Sequence, residues 1–398
     1  MEPGAESRRF LRPLAAGLSL AAVFVAVVAI PLDAAAELGL SPPETSAWIL
    51  AVWGLPGVLT IILTVRYRQP LLVTGNIFIL IFVLSLGGEL SWPELVGATI
   101  VAGGFVLLLG ITGLTHWLAR FLPSPIVYGL LAGAVLDPLL ADSITSLGTS
   151  TLLVGSTFAA YFLSEAIFGK RVPALLSALV VGVVVAVLGS QAGPMPHLAW
   201  PQVAFTLPEF TFEALITATP VLVVFITLQA NAPSIVYLRA QQFEPPERAT
   251  SLISGAGTIV GSVFGPMGVS LSLPATALTA GPDAGDHDVR RLAAYIAAAF
   301  SVLVALSSGF ASELLDFIPR ALLDAIVGLA VLGILARALG EVTKGPLRLG
   351  PIVAFAVAVS DLELLGLGRF FWAIVFGVSV SLLLERRQWS DIETGGTE

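Results

Sequence analysis

The chain has no cysteine, only three histidines, and charged side chains at only 12% of its 398 positions. The missing cysteines exclude disulfides, thiolate metal sites and a cysteine nucleophile. The histidines, His116, His197 and His287, lie far apart and no HExxH pattern occurs. The sequence therefore offers no metal centre and implies no cofactor. No phosphate-binding P-loop is present, which argues against a pump driven by its own ATPase domain. No basic stretch interleaved with aromatics is present either, so nucleic acid is not an expected partner. The apolar stretches hold no pair of residues suited to catalysis, and an enzyme embedded in the membrane has no support. The shortage of charge is the most restrictive absence, because soluble domains average about 25% charged residues. With 56% hydrophobic residues and a mean hydropathy of +0.94, this chain has too little polar surface to cover a globule in water. The solvent for most of it is lipid.

What is present is a succession of apolar runs. A helix needs about 20 mostly apolar residues to cross a bilayer. Fourteen segments approach this, at 14–36, 45–65, 70–87, 94–116, 124–141, 147–168, 172–191, 213–236, 249–264, 268–281, 292–312, 318–338, 349–366 and 369–385. The pattern predicts an all-α polytopic membrane protein forming a single transporter domain, with a tail from 386 to 398. Arg8, Arg9 and Arg12 precede the first run, and Ala34-Ala35-Ala36 is similar to a signal cleavage site. The run from Leu14 to Leu32 exceeds the roughly 7–15 apolar residues of a signal peptide, so an uncleaved first span is expected.

The charges orient the map. With the N-terminus in the cytoplasm, every Lys and Arg except Arg320 and Arg369 falls in an inside loop or terminus. The outside loops carry Asp33, Glu37, Glu44, Glu89, Glu94, Asp142, Glu209, Glu313 and Asp316. This is the positive-inside bias, and it predicts an even number of crossings with both termini cytoplasmic in the cell membrane. A faint repeat supports an inverted architecture. Pro42-Pro43-Glu44 follows the first segment and Pro245-Pro246-Glu247 the eighth, so two copies of seven segments would face opposite sides.

The third and tenth segments look broken. Each opens with a short extended stretch, Val73-Thr74-Gly75-Asn76 in one and Gly268-Val269-Ser270-Leu271-Ser272 in the other, and continues as a short helix. Ser272, with Pro274 in the first turn, suits an N-cap, as does Thr74 or Asn76. A helix that starts inside a membrane leaves N–H groups that lipid cannot satisfy, so such starts face a cavity or a ligand. Two of them would create a site of positive potential near the midplane. Substrate contacts are expected from Thr74, Gly75, Asn76, Gly268, Ser270, Ser272 and Thr276, with Gln229 and Asn231 reaching in from the eighth segment. No Lys or Arg is expected at that depth, so a fixed cation is not the expected holder. Glu165, Glu213, Asp324 and Asp361 sit near segment ends. Asp137 lies deepest of the acids and is the candidate proton carrier.

Several of these stretches resemble the benzoate:proton symporter (BenE) family. The likeness is densest from Thr227 to Ala294, through Gln229-Ala-Asn231-Ala-Pro233, Phe264-Gly265-Pro266-Met267-Gly268, Thr279-Ala-Gly-Pro-Asp283-Ala and Asp288-Val-Arg290-Arg291. Tyr67-Arg68-Gln69-Pro70 and Gly110-Ile-Thr-Gly-Leu114 also fit. The family looks related in fold to uracil permease and the sulfate permease-like anion carriers. The resemblance implies two inverted sevens, a core (14–116 and 213–312) moving against a gate (124–191 and 318–385), and often a homodimer. It implies secondary active transport of a small organic anion, such as an aromatic carboxylate, coupled to protons. Where the family tends to carry a Trp-Ser-Thr-Pro-Gly-like run after Pro70, this chain has Val73-Thr74-Gly75-Asn76. An inorganic anion or nucleobase carrier on the same fold, or a channel, are the alternatives.

Overall fold

The computed structural model describes residues 3–86, 89–114, 122–136, 140–169, 172–197, 199–344 and 346–393. The first half holds α1 (Pro3–Val27), α2 (Ala29–Glu37), α3 (Pro42–Tyr67), α4 (Ile77–Ser85), α5 (Trp92–Thr112), α6 (Ser124–Val135), α7 (Ala141–Thr149), α8 (Thr151–Phe168) and α9 (Ala174–Leu188). In the second half, α10 (Phe212–Thr217), α11 (Thr219–Val224), a π-helical stretch (Phe225–Asn231) and α12 (Ala232–Ala240) run on as one bent span. It is followed by α13 (Glu247–Ser262), α14 (Leu273–Ala280), α15 (Arg291–Leu306), α16 (Ala311–Phe317), α17 (Arg320–Lys344), α18 (Leu349–Val359), α19 (Arg369–Leu384) and α20 (Arg386–Glu393). Two three-residue strands, β1 (Val73–Gly75) and β2 (Val269–Leu271), precede α4 and α14.

Among the described residues, seven helical stretches are long and apolar enough to cross a bilayer, and four shorter apolar helices join them. Together with α13 and the half-length helices α4 and α14, they occupy the fourteen places set by the apolar runs. The packing carries the inverted repeat. α3 packs on α15, and a shift of seven segments turns this pair into α13 on α5, which is also packed. The same shift turns α8 on α9 into α18 on α19. The pairing of β1 with β2 maps onto itself; it is antiparallel, with Val73 opposite Leu271, Thr74 opposite Ser270 and Gly75 opposite Val269.

Local sequence explains the breaks. Arg68 ends α3 in the left-handed conformation, and Pro70 cannot continue the helix. The other copy turns at Gly265, whose φ of 146° is a glycine conformation, next to Pro266. Each strand is held by a threonine from the helix before it. The Thr60 hydroxyl accepts from the Val73 N–H (2.8 Å) and donates to the Val73 carbonyl (2.9 Å), and the Thr258 hydroxyl accepts from the Val269 N–H (2.9 Å). Several segments differ from the sequence map, the thirteenth among them, which ends at Val359 rather than 366. The first is two helices, because Pro31 has no N–H to continue the ladder past Val28. The sixth divides at Ser150. The twelfth runs to Lys344 rather than 338.

The start of α18 shows how polar groups are satisfied where the apolar spans end. The Glu385 carboxylate accepts from the backbone N–H groups of Leu349 (2.8 Å) and Gly350 (3.1 Å), from that of Arg348, and from the Ser381 hydroxyl (2.9 Å). Burial works against its charge, but these four donors outweigh it and hold the carboxyl below the ordinary glutamate value. Glu385→Gln turns an acceptor into a donor facing donors. It is expected to cost about 1.5–3 kcal/mol in a thermal melt of the purified protein. The lowered value means that this stability is present above the ordinary glutamate value of about 4.3. It is lost as the pH falls through the folded-state value, so the gap between parent and variant narrows in acid.

Candidate functional site

The crossing of β1 and β2 borders a cavity of about 320 Å³. One wall is built from α1, α3, both strands and the starts of α4 and α14. The facing wall comes from α9 and α17, through Leu175, Ala330, Gly333, Ile334 and Arg337. Phe24, Trp53 and Phe78 give the cavity broad apolar sides. Its polar side chains are Thr74, Asn76, Gln229, Ser270, Ser272, Ser301 and Arg337.

Of the residues singled out in the sequence, Thr74, Gly75, Asn76, Gln229, Ser270 and Ser272 meet at this cavity, whereas Asn231, Gly268 and Thr276 do not line it. Their hydrogen bonds separate them further. Asn76 is the N-cap of α4, its Oδ1 accepting from the N–H groups of Phe78 (3.0 Å) and Ile79 (3.3 Å). Its Nδ2 donates to the Phe225 carbonyl (3.1 Å) and the Ser270 hydroxyl (3.0 Å). The start of α4 is thus closed by its own cap. The start of α14 is different: Ser272 precedes it in extended conformation without a side-chain cap. A Cβ on Gly75 would meet the Val52 carbonyl at 2.7 Å, so a side chain there presses on α3. A Cβ on Gly268 would meet Ile79 at 2.2 Å, and Thr276 is fully buried. Asp137 lies outside the described residues.

The two amides of the eighth segment have opposite situations. The Asn231 Oδ1 accepts from the Leu271 N–H (2.9 Å) and its Nδ2 donates to the Ser254 hydroxyl (3.0 Å), which fastens β2. Gln229 is only 1% exposed, lines the cavity, and has no hydrogen-bond partner at either amide atom. The cause is local. Pro233 lacks an N–H and its ring collides with the carbonyl four residues back, that of Gln229. The helix relieves this by widening into the π form, in which the Ala232 N–H reaches the Thr227 carbonyl. Asn231→Ala is therefore a stability variant first. It leaves the Leu271 N–H unpaired and is expected to cost about 1–3 kcal/mol in a thermal melt.

Sequence reasoning missed Ser301 and Arg337. Ser301 donates to the Trp53 carbonyl (2.7 Å), and nothing in its apolar neighbourhood announces this. Arg337 carried a signal: apolar residues continue on both sides of it, through Ile334-Leu-Ala before and Ala-Leu339 after. The expectation that no cation reaches the cavity is corrected, because α17 continues past Arg337 and turns it inward.

Two broken helices crossing at an apolar cavity, in an inverted repeat of fourteen segments, define a polytopic membrane transporter rather than an enzyme. A sequence profile of the BenE family, described as "Benzoate membrane transport protein", matches residues 11–383, and the chain belongs to that family. It is 28% identical over 385 residues to the inner membrane protein YdcO of Escherichia coli, covering 94% of this chain and 97% of that one. It is 26% identical over 358 residues to the benzoate membrane transport protein of Acinetobacter baylyi, covering 88% and 89%. The transmembrane domain of a cyanobacterium bicarbonate transporter, BicA, superposes with a TM-score of 0.57 at 16% identity, over 94% of this chain and 97% of that chain. SLC26A9 superposes with a TM-score of 0.64 at 12% identity, over 96% of this chain and 66% of that one. At such identities these likenesses show the fold alone.

Proposed function

We propose that this chain is a secondary active carrier of a small organic anion, of the aromatic carboxylate class. The observation that carries this is Gln229: a buried amide with neither atom paired, at a cavity otherwise walled by Phe24, Trp53 and Phe78. An unpaired buried amide is costly, and a bound polar group that pairs with it removes the cost. The nearby start of α14, without a side-chain cap, favours negative charge by its dipole. The flat apolar walls suit a ring. The relative in Acinetobacter baylyi is named for benzoate transport, which supports the same class. An inorganic anion is the second reading, supported by the fold shared with the bicarbonate transporter.

In this account residues 14–116 and 213–312 form a core that moves against a gate of residues 124–191 and 318–385, and the cavity lies between them. Two copies associate in the cell membrane with both termini inside. An impermeant reagent should then label a cysteine at 38 but not one at 243; the reverse pattern defeats this topology. Proton coupling through Asp137 rests on its depth in the sequence. PH-driven uptake that survives Asp137→Asn excludes it.

The test of substrate class is a thermal-shift comparison of benzoate, uracil, bicarbonate and sulfate on purified protein. A ligand that binds only the folded state raises its melting point. Benzoate is expected to do so. Stabilisation by bicarbonate or sulfate, with none by benzoate, overturns the aromatic reading.

A further inference from the structure

We infer that Arg337 is the residue that makes this site select for a negative charge, and that it acts from the wall opposite Gln229. This rests on the carboxylate reading above. Arg337 is the one ionisable side chain among the described residues that line the cavity. It shares a face of α17 with Ala330, Gly333 and Ile334, which line the cavity at the helical spacing of three and four. The Tyr128 hydroxyl of α6 lies close enough to interact with its guanidinium, and Glu341 follows one turn on. A cation set in an apolar wall is costly unless an anion or several acceptors meet it. A carboxylate at the Gln229 amide and the start of α14 faces the wall that carries Arg337, whose charge acts on it across the apolar cavity. A guanidinium fork matches a carboxylate in geometry as well as charge. Because the two groups stand on opposite walls, both hold the substrate only while the walls face each other as they do here.

The experiment compares benzoate with benzamide, its neutral analogue of the same shape, by calorimetry on purified parent, Arg337→Gln, Arg337→Lys and Glu341→Gln proteins. Parent is expected to prefer benzoate by about tenfold or more, a preference that hydrogen bonds to charged groups readily supply. Arg337→Gln is expected to erase the preference by weakening benzoate alone, Arg337→Lys to keep part of it, and Glu341→Gln to leave it in place. A preference that survives Arg337→Gln, or that Glu341→Gln removes equally, overturns this inference and leaves the carboxylate reading standing. Parent protein that binds neither compound overturns both.

From different contacts, we also infer that Arg320 and Arg369 latch the outer side of the same interface. A second cavity of about 300 Å³ continues the first one turn further along three helices. Its lining passes from Val27 to Leu32 on α1 and α2, from Leu175 to Leu179 and Val183 on α9, and from Ser301 to Val304 on α15. Just beyond Leu32, Arg320 of α17 pairs with Asp33 (2.8 Å) and Glu37 (2.9 Å) across the interface, and with Asp324 (2.9 Å) on its own helix. Arg369 of α19 donates to the Ser85 carbonyl at the end of α4 (3.0 Å) and pairs with Glu89 (3.4 Å). Both arginines begin helices, the end at which the dipole disfavours a cation, and both are exceptions to the positive-inside pattern. Their ties across the interface account for the placement. These ties must part for the second cavity to open outward.

A single cysteine at Ser307, which lines the second cavity, reports that opening through its rate of alkylation by an impermeant reagent. Arg320→Gln and Arg369→Gln are each expected to raise the rate at least fivefold, and Arg320→Lys to leave it near that of the parent. A cysteine at the fully buried Ala98 should stay unlabelled in the same variants, which separates opening from unfolding. Rates unchanged by both glutamine variants, or raised equally at position 98, overturn the latch.

Discussion

Gln229→Leu is expected to lose substrate binding while raising the melting point of the protein. The two signs have one cause. Both amide atoms of Gln229 lack partners in a buried position, so the folded protein bears a desolvation cost of about 1–3 kcal/mol. Leucine, of similar volume and without polar atoms, removes that cost. It also removes the donor and acceptor offered to a ligand. A hydrogen bond to a charged group is worth about 1.5–3 kcal/mol, so binding is expected to fall on the order of 10- to 150-fold. A purely structural glutamine would behave differently, because its replacement would lower the melting point. Calorimetry with benzoate and a thermal melt on the same preparation give both signs.

The second large effect concerns Arg320. Its partner Asp33 is 4% exposed, so Arg320→Ala leaves a buried carboxylate without its counter-charge. Breaking a fully buried pair from one side costs about 3–5 kcal/mol, whereas removing both charges is often nearly neutral; Arg320 is half-exposed, so solvent screening brings the loss here below that range. The melting point of Arg320→Ala is therefore expected to fall, by more than that of a variant at a pair exposed on both sides, and Asp33→Asn in the same chain to restore much of it. Arg239 and Glu247 provide the contrast. That pair is exposed on both sides, and exposed pairs contribute about 0–1 kcal/mol, so Arg239→Ala should scarcely matter. Equal losses for the two arginines would show that burial at Asp33 carries no special weight.

Much of the architecture was legible because lipid leaves few solutions. Apolar runs had to be helices, and proline and glycine next to short polar stretches marked where β1 and β2 interrupt them. A cap before α4 followed from the same logic, with Thr74 and Asn76 both eligible, and the fold gives the role to Asn76. What sequence could not separate was Gln229 from Asn231. They are two residues apart in one span, yet the partners that occupy Asn231, Ser254 and Leu271, lie 23 and 40 residues away. Only the folded chain shows which amide is taken. Likewise the Pro233 ring acts on a helix whose widening depends on neighbours, so the π stretch had no separate signature. Arg337 was counted with the inside basic residues because it falls at the last turn of the twelfth segment, 318–338. A helix that borders a cavity can carry a charge past that point.

The central claim is that the cavity at the strand crossing is where substrate binds. The absence of cysteine allows a direct measurement: a single cysteine at Ser272, at the uncapped start of α14, alkylated with and without benzoate. Occupancy is expected to slow alkylation by tenfold or more at saturating benzoate, and Gln229→Leu in the same chain to abolish the protection at that concentration. Alkylation unaffected by benzoate, in protein that benzoate still stabilises thermally, would place the substrate elsewhere and contradict the account.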